Sequence, residues 1–308
     1  MSKYIIDTDI GDDIDDAFAL IYAMEKRLDI LGVTTVFKNT VERARMVKKL
    51  FSLYKNGYEG TPVYAGYGDS ITAKLDTGSH TCQYTDDLDA YSPDSCDPDA
   101  AIDFIIDSSK KYKKDLVLIA IGPFTNVAKI IEKDPEALRR IGGVIIMGGA
   151  YFKQYADWNV SCDPEAAEIM IDSLENIICL GADVTHELKI SEDDDKKILA
   201  YSGDNEAKLY VSKLYELWKD GKEQRIAILH DPLVISYAQD PMVCDTVVAP
   251  VKVLTSGFAR GMTLNVSAYT KAYMNPYYTE ITPLKEHILA RSVERERVIA
   301  DFMKTFCN

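Results

Sequence analysis

The sequence predicts an α/β fold with a mainly parallel central sheet and helices on both faces of the sheet. Two observations support this prediction: short runs of apolar residues recur along the chain, and segments with helical periodicity separate them. A strand that is apolar on both sides is buried on both faces, and helical connections between such strands make them parallel. No internal repeat or linker divides the 308 residues, so we predict a single domain over residues 1–308.

Strands and helices are predicted in alternation along most of the chain. The strands are predicted at Tyr4–Ile6, Ile30–Val36, Leu116–Ile121, Val144–Met147, Ile177–Leu180 and Val247–Leu254. The helices are predicted at Asp15–Lys26, Val41–Leu53, Val127–Glu132, Pro164–Ser173 and Arg291–Phe306, with a polar helical segment over Ser191–Arg225. Aromatic residues at helical spacing in that polar segment are expected in the core.

The chain is acidic, with a formal net charge of −14 at pH 7. Such a surface repels nucleic-acid phosphates and anionic lipids, so we predict neither nucleic acid nor a membrane as a partner. The six cysteines include no CxxC pair, and the N-terminus lacks the pattern of a secretory signal. We therefore predict free thiols and a cytoplasmic location, where disulfides are rare.

Unusual polar residues are concentrated just after the predicted strands. The segments that follow the first five strands contain Asp7 and Asp9, Asn39, Gly122–Asn126, Gly148–Asn159 and Asp183–His186. In parallel sheets, ligands bind outside the carboxyl ends of the strands. The pattern therefore predicts a binding site at that edge of the sheet.

Six aspartates lie within the ten residues Asp7–Asp16. So many carboxylates cannot all stay ionised in a small buried volume unless a cation offsets their charge. Carboxylate oxygens are the ligands that Ca²⁺ and Mg²⁺ prefer, and the absence of Cys and His from this stretch disfavours zinc. The cluster therefore predicts a site for a hard cation after the first strand.

Two other metal motifs compete for this segment. An EF-hand loop beginning at Asp7 needs a glutamate at its twelfth position, where Phe18 stands. A Mg²⁺-dependent phosphatase similar to the haloacid dehalogenases would use Asp7 as its nucleophile. Gly11 stands where such proteins have threonine or valine. The phosphatase remains an alternative with a distinct prediction, the release of phosphate from an ester.

Several short motifs follow one another in a characteristic order. They are Asp7-Thr8-Asp9 with Gly11 and Asp15-Asp16-Ala17, Gly32–Val36 with Asn39, Pro62–Gly66, Gly122–Asn126, Ile146–Ala150, Cys162–Ala167, Asp183–His186 and His230–Pro232. In this order and placement they resemble the inosine-uridine preferring nucleoside hydrolase family, from Tyr4 to about Pro232. The resemblance implies a nucleoside-hydrolase-like fold and a homodimer or homotetramer.

The resemblance also implies a nucleoside N-ribohydrolase that uses Ca²⁺ to split a small ribonucleoside into ribose and free base. Asp9, Asp16 and Asp231 would bind the ion through their carboxylates, and Thr125 through its backbone carbonyl. Asp15 would deprotonate the attacking water, and His230 would give a proton to the leaving base. The implied substrate-binding residues are Asn39, Met147, Asp157 and Asn159.

The chemistry of these residue types fits the implied reaction. Cleavage of an N-glycosidic bond develops positive charge on the sugar, which nearby carboxylates stabilise. A bound Ca²⁺ orients the ribose diol and makes a water easier to deprotonate. A histidine has an unperturbed pKa of about 6.5, which suits proton donation to a departing base.

The chain departs from the family pattern at two places. The first motif is two residues longer than usual, so Asp12 or Asp13 is an alternative ligand to Asp15 or Asp16. No asparagine follows Gly148-Gly149 at the position that holds the ribose 5′ end, and Asp157 replaces a glutamate. A metal-dependent protein that binds a nucleoside or ribose without turnover is therefore a further alternative.

Overall fold

The computed structural model describes residues 2–55, 57–267 and 284–307, and the strands within these ranges form one sheet. The strands are β1 (Lys3–Thr8), β2 (Asp29–Thr35), β3 (Val63–Ala65), β4 (Leu116–Ala120), β5 (Gly143–Met147), β6 (Ile178–Leu180), β7 (Cys244–Val253), β8 (Thr263–Asn265) and β9 (Glu286–Val293). Their order is β3-β2-β1-β4-β5-β6-β9-β7-β8. The pairs from β3 to β9 are parallel, and β7 runs antiparallel to both β9 and β8.

Helices connect the parallel strands. They are α1 (Asp15–Glu25), α2 (Thr40–Leu53), α3 (Pro98–Tyr112), α4 (Thr125–Lys133), α5 (Ala137–Arg140), α6 (Trp158–Cys162), α7 (Pro164–Ser173), α8 (Ala182–Thr185), α9 (Glu192–Leu199), α10 (Glu206–Lys219), α11 (His230–Gln239) and α12 (Arg295–Cys307). None of these described helices is long and apolar enough to cross a bilayer.

Both faces of the sheet are covered. Ile5 and Ile6 are fully buried neighbours in β1, and successive residues of a strand point to opposite faces. Ile6 belongs to an apolar layer with α1, α2, α10, α11 and α12, whereas Ile5 belongs to a layer with α3, α4, α5 and α7. The predicted α/β fold, with a mainly parallel sheet and helices on both faces, is therefore confirmed.

Aromatic packing fixes the position of α1. The ring of Phe18 lies 5.2 Å from that of Phe302 in α12 and 5.4 Å from that of Tyr215 in α10. Full burial of an aromatic side chain stabilises the fold by roughly 1.5–3 kcal/mol. These contacts anchor the helix whose first turn carries Asp15 and Asp16.

The C-terminal part differs from the sequence prediction. Arg291 lies in β9 and the last helix begins at Arg295, so the predicted start of that helix was wrong. The polar residues at both ends of β9 hide its apolar centre, Ile288–Ala290, from a periodicity argument. The segment Ser191–Arg225 contains two helices, and Ser191 caps the first by accepting a hydrogen bond of 3.1 Å from the Asp194 N–H. Of the four aromatic residues in this segment, Tyr210, Tyr215 and Trp218 are buried, as expected, whereas Tyr201 is half-buried.

Candidate active site

A cavity of about 580 Å³ opens at the carboxyl edge of the parallel sheet, and one of its walls is strongly acidic. The acidic wall consists of Asp9, Asp12, Asp13, Asp15, Asp16 and Asp231. The remaining wall includes Met147, Tyr155, Asp157, Trp158, Asn159, His186, Arg225 and His230. The cavity lies where the polar segments after the strands predicted a binding site.

Three carboxylates are close enough to share one metal ion. Oxygen atoms of Asp15, Asp16 and Asp231 lie within 4.8 Å of one another, and all three residues are buried. Asp15 and Asp16 stand in the first turn of α1 and Asp231 in the first turn of α11, where the helix dipoles favour negative charge. The Thr8 hydroxyl donates a hydrogen bond to Asp16. Two predicted metal ligands therefore meet, together with the predicted base.

The electrostatics of this group call for a cation. Burial raises the pKa values of Asp15, Asp16 and Asp231 well above the ordinary range, and repulsion from neighbouring aspartates raises them further. Burial also raises the pKa of Asp9, to about 7, while Arg43 acts in the opposite direction. A divalent cation would remove the repulsion, and oxygen-only donors suit Ca²⁺ or Mg²⁺. The buried acidic cluster therefore fits a metal site.

Gly122 allows the loop after β4 to approach the first carboxylates. A Cβ atom at Gly122 would lie 2.7 Å from the Val36 side chain and 2.9 Å from an Asp9 carboxylate oxygen. Both distances are shorter than non-bonded contacts tolerate, so a side chain would displace Asp9 or the strand end beside it. Glycine is therefore required at position 122, where the loop after β4 approaches Asp9.

Asp157 and Asn159 are held by the backbone of the strand ends. Asp157 is the N-cap of α6, and its Oδ1 accepts a hydrogen bond of 2.9 Å from the Gly149 N–H. Asn159 Nδ2 donates to the carbonyls of Ile121, at 2.8 Å, and Met147, at 3.1 Å. These bonds attach the cavity wall that contains Asp157 and Asn159 to the ends of β4 and β5.

His230 begins α11, and its side chain is half-buried at the cavity wall. Its Nδ1 lies 2.6 Å from the Thr185 hydroxyl, and its ring lies 5.1 Å from that of His186. Burial, with a smaller contribution from His186, lowers the pKa of His230 to about 3. The ring is therefore neutral near pH 7. His186 is exposed, and its Nδ1 lies 3.0 Å from the Tyr155 hydroxyl.

Two predicted site residues lie outside the cavity wall. Asn39 caps α2 by accepting a hydrogen bond of 3.2 Å from the Glu42 N–H, and it borders a separate cavity. Thr125 is the first residue of α4, and its hydroxyl donates to Asp163 at 2.6 Å. Their roles as ribose contact and metal ligand stay predictions. The other predicted residues, Asp9, Asp15, Asp16, Met147, Asp157, Asn159, His230 and Asp231, line the cavity.

Among the cavity-lining residues to which the sequence interpretation gave no site role, four are aromatic or positively chargeable: Tyr155, Trp158, His186 and Arg225. Tyr155 and Trp158 lie in the segment after β5, and Trp158 is 62% exposed. His186 ends the motif Asp183–His186 after β6. Arg225 stacks on Trp218 at 4.0 Å, and no pattern in the sequence pointed to it. Tyr155, Trp158 and His186 all follow predicted strands, and this position was the sequence signal that could have placed them at the cavity.

Asp7 does not reach the cavity. It is fully buried, and its Oδ1 accepts hydrogen bonds of 2.6 Å from the Thr34 hydroxyl and 2.7 Å from Asn126 Nδ2. A nucleophile needs an open approach to its substrate. The position of Asp7 therefore argues against the phosphatase alternative and assigns Asp7 to the joining of β1, β2 and α4.

Known proteins share both the sequence pattern and the fold. The family model described as inosine-uridine preferring nucleoside hydrolase matches residues 4–300. An inosine-uridine preferring nucleoside hydrolase of Leishmania major is 30% identical over 285 residues, 85% of this chain and 87% of its own length. A probable uridine nucleosidase of Arabidopsis thaliana is 29% identical, over 85% of each chain.

Solved structures agree with this assignment. A plant nucleoside hydrolase superposes with a TM-score of 0.84 at 25% identity, over 99% of each chain. A purine-preferring ribonucleoside hydrolase from Gardnerella vaginalis superposes with a TM-score of 0.79 at 26% identity, over 99% of this chain and 98% of its own. The predicted nucleoside-hydrolase-like fold is confirmed. The chain belongs to the inosine-uridine preferring nucleoside hydrolase family and is a hydrolase that acts on the N-glycosyl bonds of nucleosides.

Proposed function

We propose that the protein is a Ca²⁺-dependent ribonucleoside hydrolase that releases ribose and a free base from a small ribonucleoside. One observation carries the proposal: the oxygen atoms of Asp15, Asp16 and Asp231 converge within 4.8 Å at the floor of a cavity large enough for a nucleoside. A hard cation and a polyhydroxylated substrate both suit such a group of carboxylates.

In this proposal, Asp9, Asp16 and Asp231 hold the Ca²⁺ ion, together with the backbone carbonyl of Thr125. When bound, the ion would orient the ribose diol and lower the pKa of a water molecule. Asp15 takes the proton from the attacking water. The remaining negative charge of the carboxylates stabilises the positive charge that develops on the sugar as the bond to the base breaks.

The rest of the cavity wall binds and orients the substrate. Asp157 and Asn159 contact the ribose from the cavity wall that contains them, and Met147 packs against the sugar. Asn39 is retained as a ribose contact, which requires its loop to move towards the cavity when substrate binds. These four residues are proposed as the substrate-binding set.

His230 acts on the leaving base. Because the ring is neutral near pH 7, it cannot deliver the proton of an imidazolium. When the Thr185 hydroxyl donates to Nδ1, Nε2 carries the remaining ring proton and can donate a hydrogen bond to a nitrogen or oxygen of the base. This hydrogen bond stabilises the negative charge that develops on the base.

The experiment is ribose release from a panel of ribonucleosides that includes inosine and uridine. We expect turnover with added Ca²⁺, loss of turnover with a chelator, and recovery when Ca²⁺ is restored. Asp16→Asn serves as the inactive variant and Asp69→Asn, at the separate cavity, as the matched carboxylate control. Tight nucleoside binding without ribose release would indicate the binding protein without turnover, and recovery with Mg²⁺ but not Ca²⁺ would refute the choice of ion.

We further propose a single catalytic domain over residues 1–308, a homodimer or homotetramer, and a cytoplasmic location. All six cysteines are free thiols, which supports a reducing compartment. Light scattering during size-exclusion chromatography measures the oligomeric state. A monomer at micromolar concentration would contradict that part of the proposal.

A further inference from the structure

A buried arginine lies behind the loop that presents the first carboxylates. Arg43 belongs to α2 and is fully buried, although it carries a permanent charge. Burying a guanidinium costs several kcal/mol unless its donors and its charge are matched. The contacts of Arg43 therefore indicate what its burial achieves.

The donors of Arg43 go to consecutive parts of the loop. Nη1 donates to the carbonyl of Asp9 and, at 2.8 Å, to the carbonyl of Ile10, whereas Nη2 donates at 2.7 Å to the Asp12 carboxylate. Nε donates at 2.8 Å to the carbonyl of Phe37, just after β2. One side chain thus ties the loop 9–12 to the end of a neighbouring strand.

This geometry directs Asp9 into the cavity. Its carbonyl faces Arg43, while its carboxylate lines the cavity wall. Asp12 belongs to the two-residue lengthening of the first motif, and its carboxylate pairs with Arg43. The lengthening therefore supplies a counter-ion for the arginine.

We propose that Arg43 is a positioning residue for the metal loop, and that Asp12 is its counter-ion and not a metal ligand. The inference rests on the metal site of the proposed function and concerns how this chain builds that site. Residues that hold a metal ligand in place by hydrogen bonds, without contacting the ion, typically raise metal affinity 10–100-fold. Substitution of a metal ligand should weaken Ca²⁺ binding far more than substitution of a positioning residue.

The test is Ca²⁺ titration by calorimetry on chelator-stripped protein, which needs no nucleoside. We expect Arg43→Met and Asp12→Asn each to weaken Ca²⁺ binding about 10–100-fold with one ion still bound. Because both substitutions break one interaction, the double variant should bind like Arg43→Met alone. At saturating Ca²⁺, ribose release should return to within a few-fold of the wild type.

A second ion pair on the same helix gives the matched controls. Arg45 of α2 pairs with Asp89 away from the cavity, so Arg45→Met and Asp89→Asn should leave the Ca²⁺ dissociation constant unchanged. If Arg43→Met does not fold, Asp12→Asn and Arg43→Lys carry the test. Arg43→Lys keeps the charge but satisfies fewer acceptors, so it should weaken binding less than loss of the charge.

The outcomes separate the possible failures. Unchanged Ca²⁺ affinity in Asp12→Asn and in the Arg43 variants would reduce Arg43 to a role in stability and overturn the inference. Loss of all measurable binding in Asp12→Asn, as in Asp16→Asn, would make Asp12 a ligand and overturn it too. If the wild type binds no divalent cation, the proposed function fails and the positioning role fails with it.

Discussion

Thr185 and His230 are joined by a hydrogen bond of 2.6 Å between the threonine hydroxyl and His230 Nδ1. The bond links α8, which follows β6, to the first turn of α11, and it occupies one of the two ring nitrogens. Burial lowers the pKa of His230 to about 3, so the ring beside Asp231 is neutral near pH 7.

The proposed role of His230 in the departure of the base predicts a selective loss of activity. His230→Gln should reduce kcat for a natural nucleoside by about 10²–10⁴, the usual contribution of such a group. A 4-nitrophenyl riboside, whose leaving group departs as a stable anion, should be hydrolysed at nearly the wild-type rate. Ribose release measures hydrolysis of the natural nucleoside, and the absorbance of 4-nitrophenolate measures hydrolysis of the riboside. An equal loss on both substrates would assign His230 to ribose positioning.

Asp15 and Asp16 are neighbours with different proposed roles, which single substitutions can separate. Asp15→Asn should leave the Ca²⁺ dissociation constant within about threefold and lower kcat by about 10²–10⁴, as loss of a general base does. Asp16→Asn should abolish measurable Ca²⁺ binding. Calorimetric titration and ribose release give the two readouts. If Asp15→Asn also abolishes Ca²⁺ binding, Asp15 is a ligand and Asp9 becomes the candidate base.

Removal of the side-chain N–H donors of Asn159 should lower the free energy of unfolding. In Asn159→Asp, no N–H remains for the carbonyls of Ile121 and Met147, and a buried carboxylate would face two carbonyl oxygens. We expect the free energy of unfolding to fall by about 2–4 kcal/mol, from two lost partners of buried groups. Urea denaturation measures this change. Trp158→Phe, at the exposed neighbouring position, is the control, and a change below 1 kcal/mol in Asn159→Asp would contradict the hydrogen-bond assignment.

His287 in β9 predicts how stability depends on pH away from the cavity. Burial lowers its pKa from 6.5 to about 4. The folded state therefore favours the neutral ring. The stability that the neutral ring contributes is fully present above about pH 6.5 and is lost as the pH falls towards 4. We expect His287→Leu to lose about 3 kcal/mol less stability between pH 7 and pH 4 than the wild type, from the size of the shift. Urea denaturation of both proteins at pH 7 and pH 4 measures the difference, and an equal loss of stability in the two proteins would contradict the prediction.

Much of the fold followed from the sequence because the inner strands are apolar without interruption. Leu116–Ala120 and Gly143–Met147 are examples, and the helix Pro164–Ser173 was placed at its observed limits. Short or polar-ended elements escaped the same reasoning. Val63–Ala65 has only three residues, and β9 begins with Glu286 and ends beyond Arg291. Their strand structure is stabilised by pairing across the sheet, which no local pattern records.

The candidate site was predictable where chemistry and strand position coincide. Asp16 and Asp231 lie 215 positions apart in the chain, yet α1 and α11 bring them to one cluster. The burial that neutralises His230 and the fixing of Asp12 by Arg43 depend on packing in three dimensions. Neither could be deduced from residue types and spacing alone.

The position of β9 also bears on how the protein is made. This strand, Glu286–Val293, lies between β6 and β7 in the sheet, although the ribosome synthesises it after both of them. α12 follows it and supplies Phe302 to the packing of α1. A nascent chain that ends before Glu286 has neither the partner that β6 and β7 share nor the cover for α1. The helix α1, with Asp15 and Asp16 in its first turn, therefore reaches its final packing only after α12 has been synthesised.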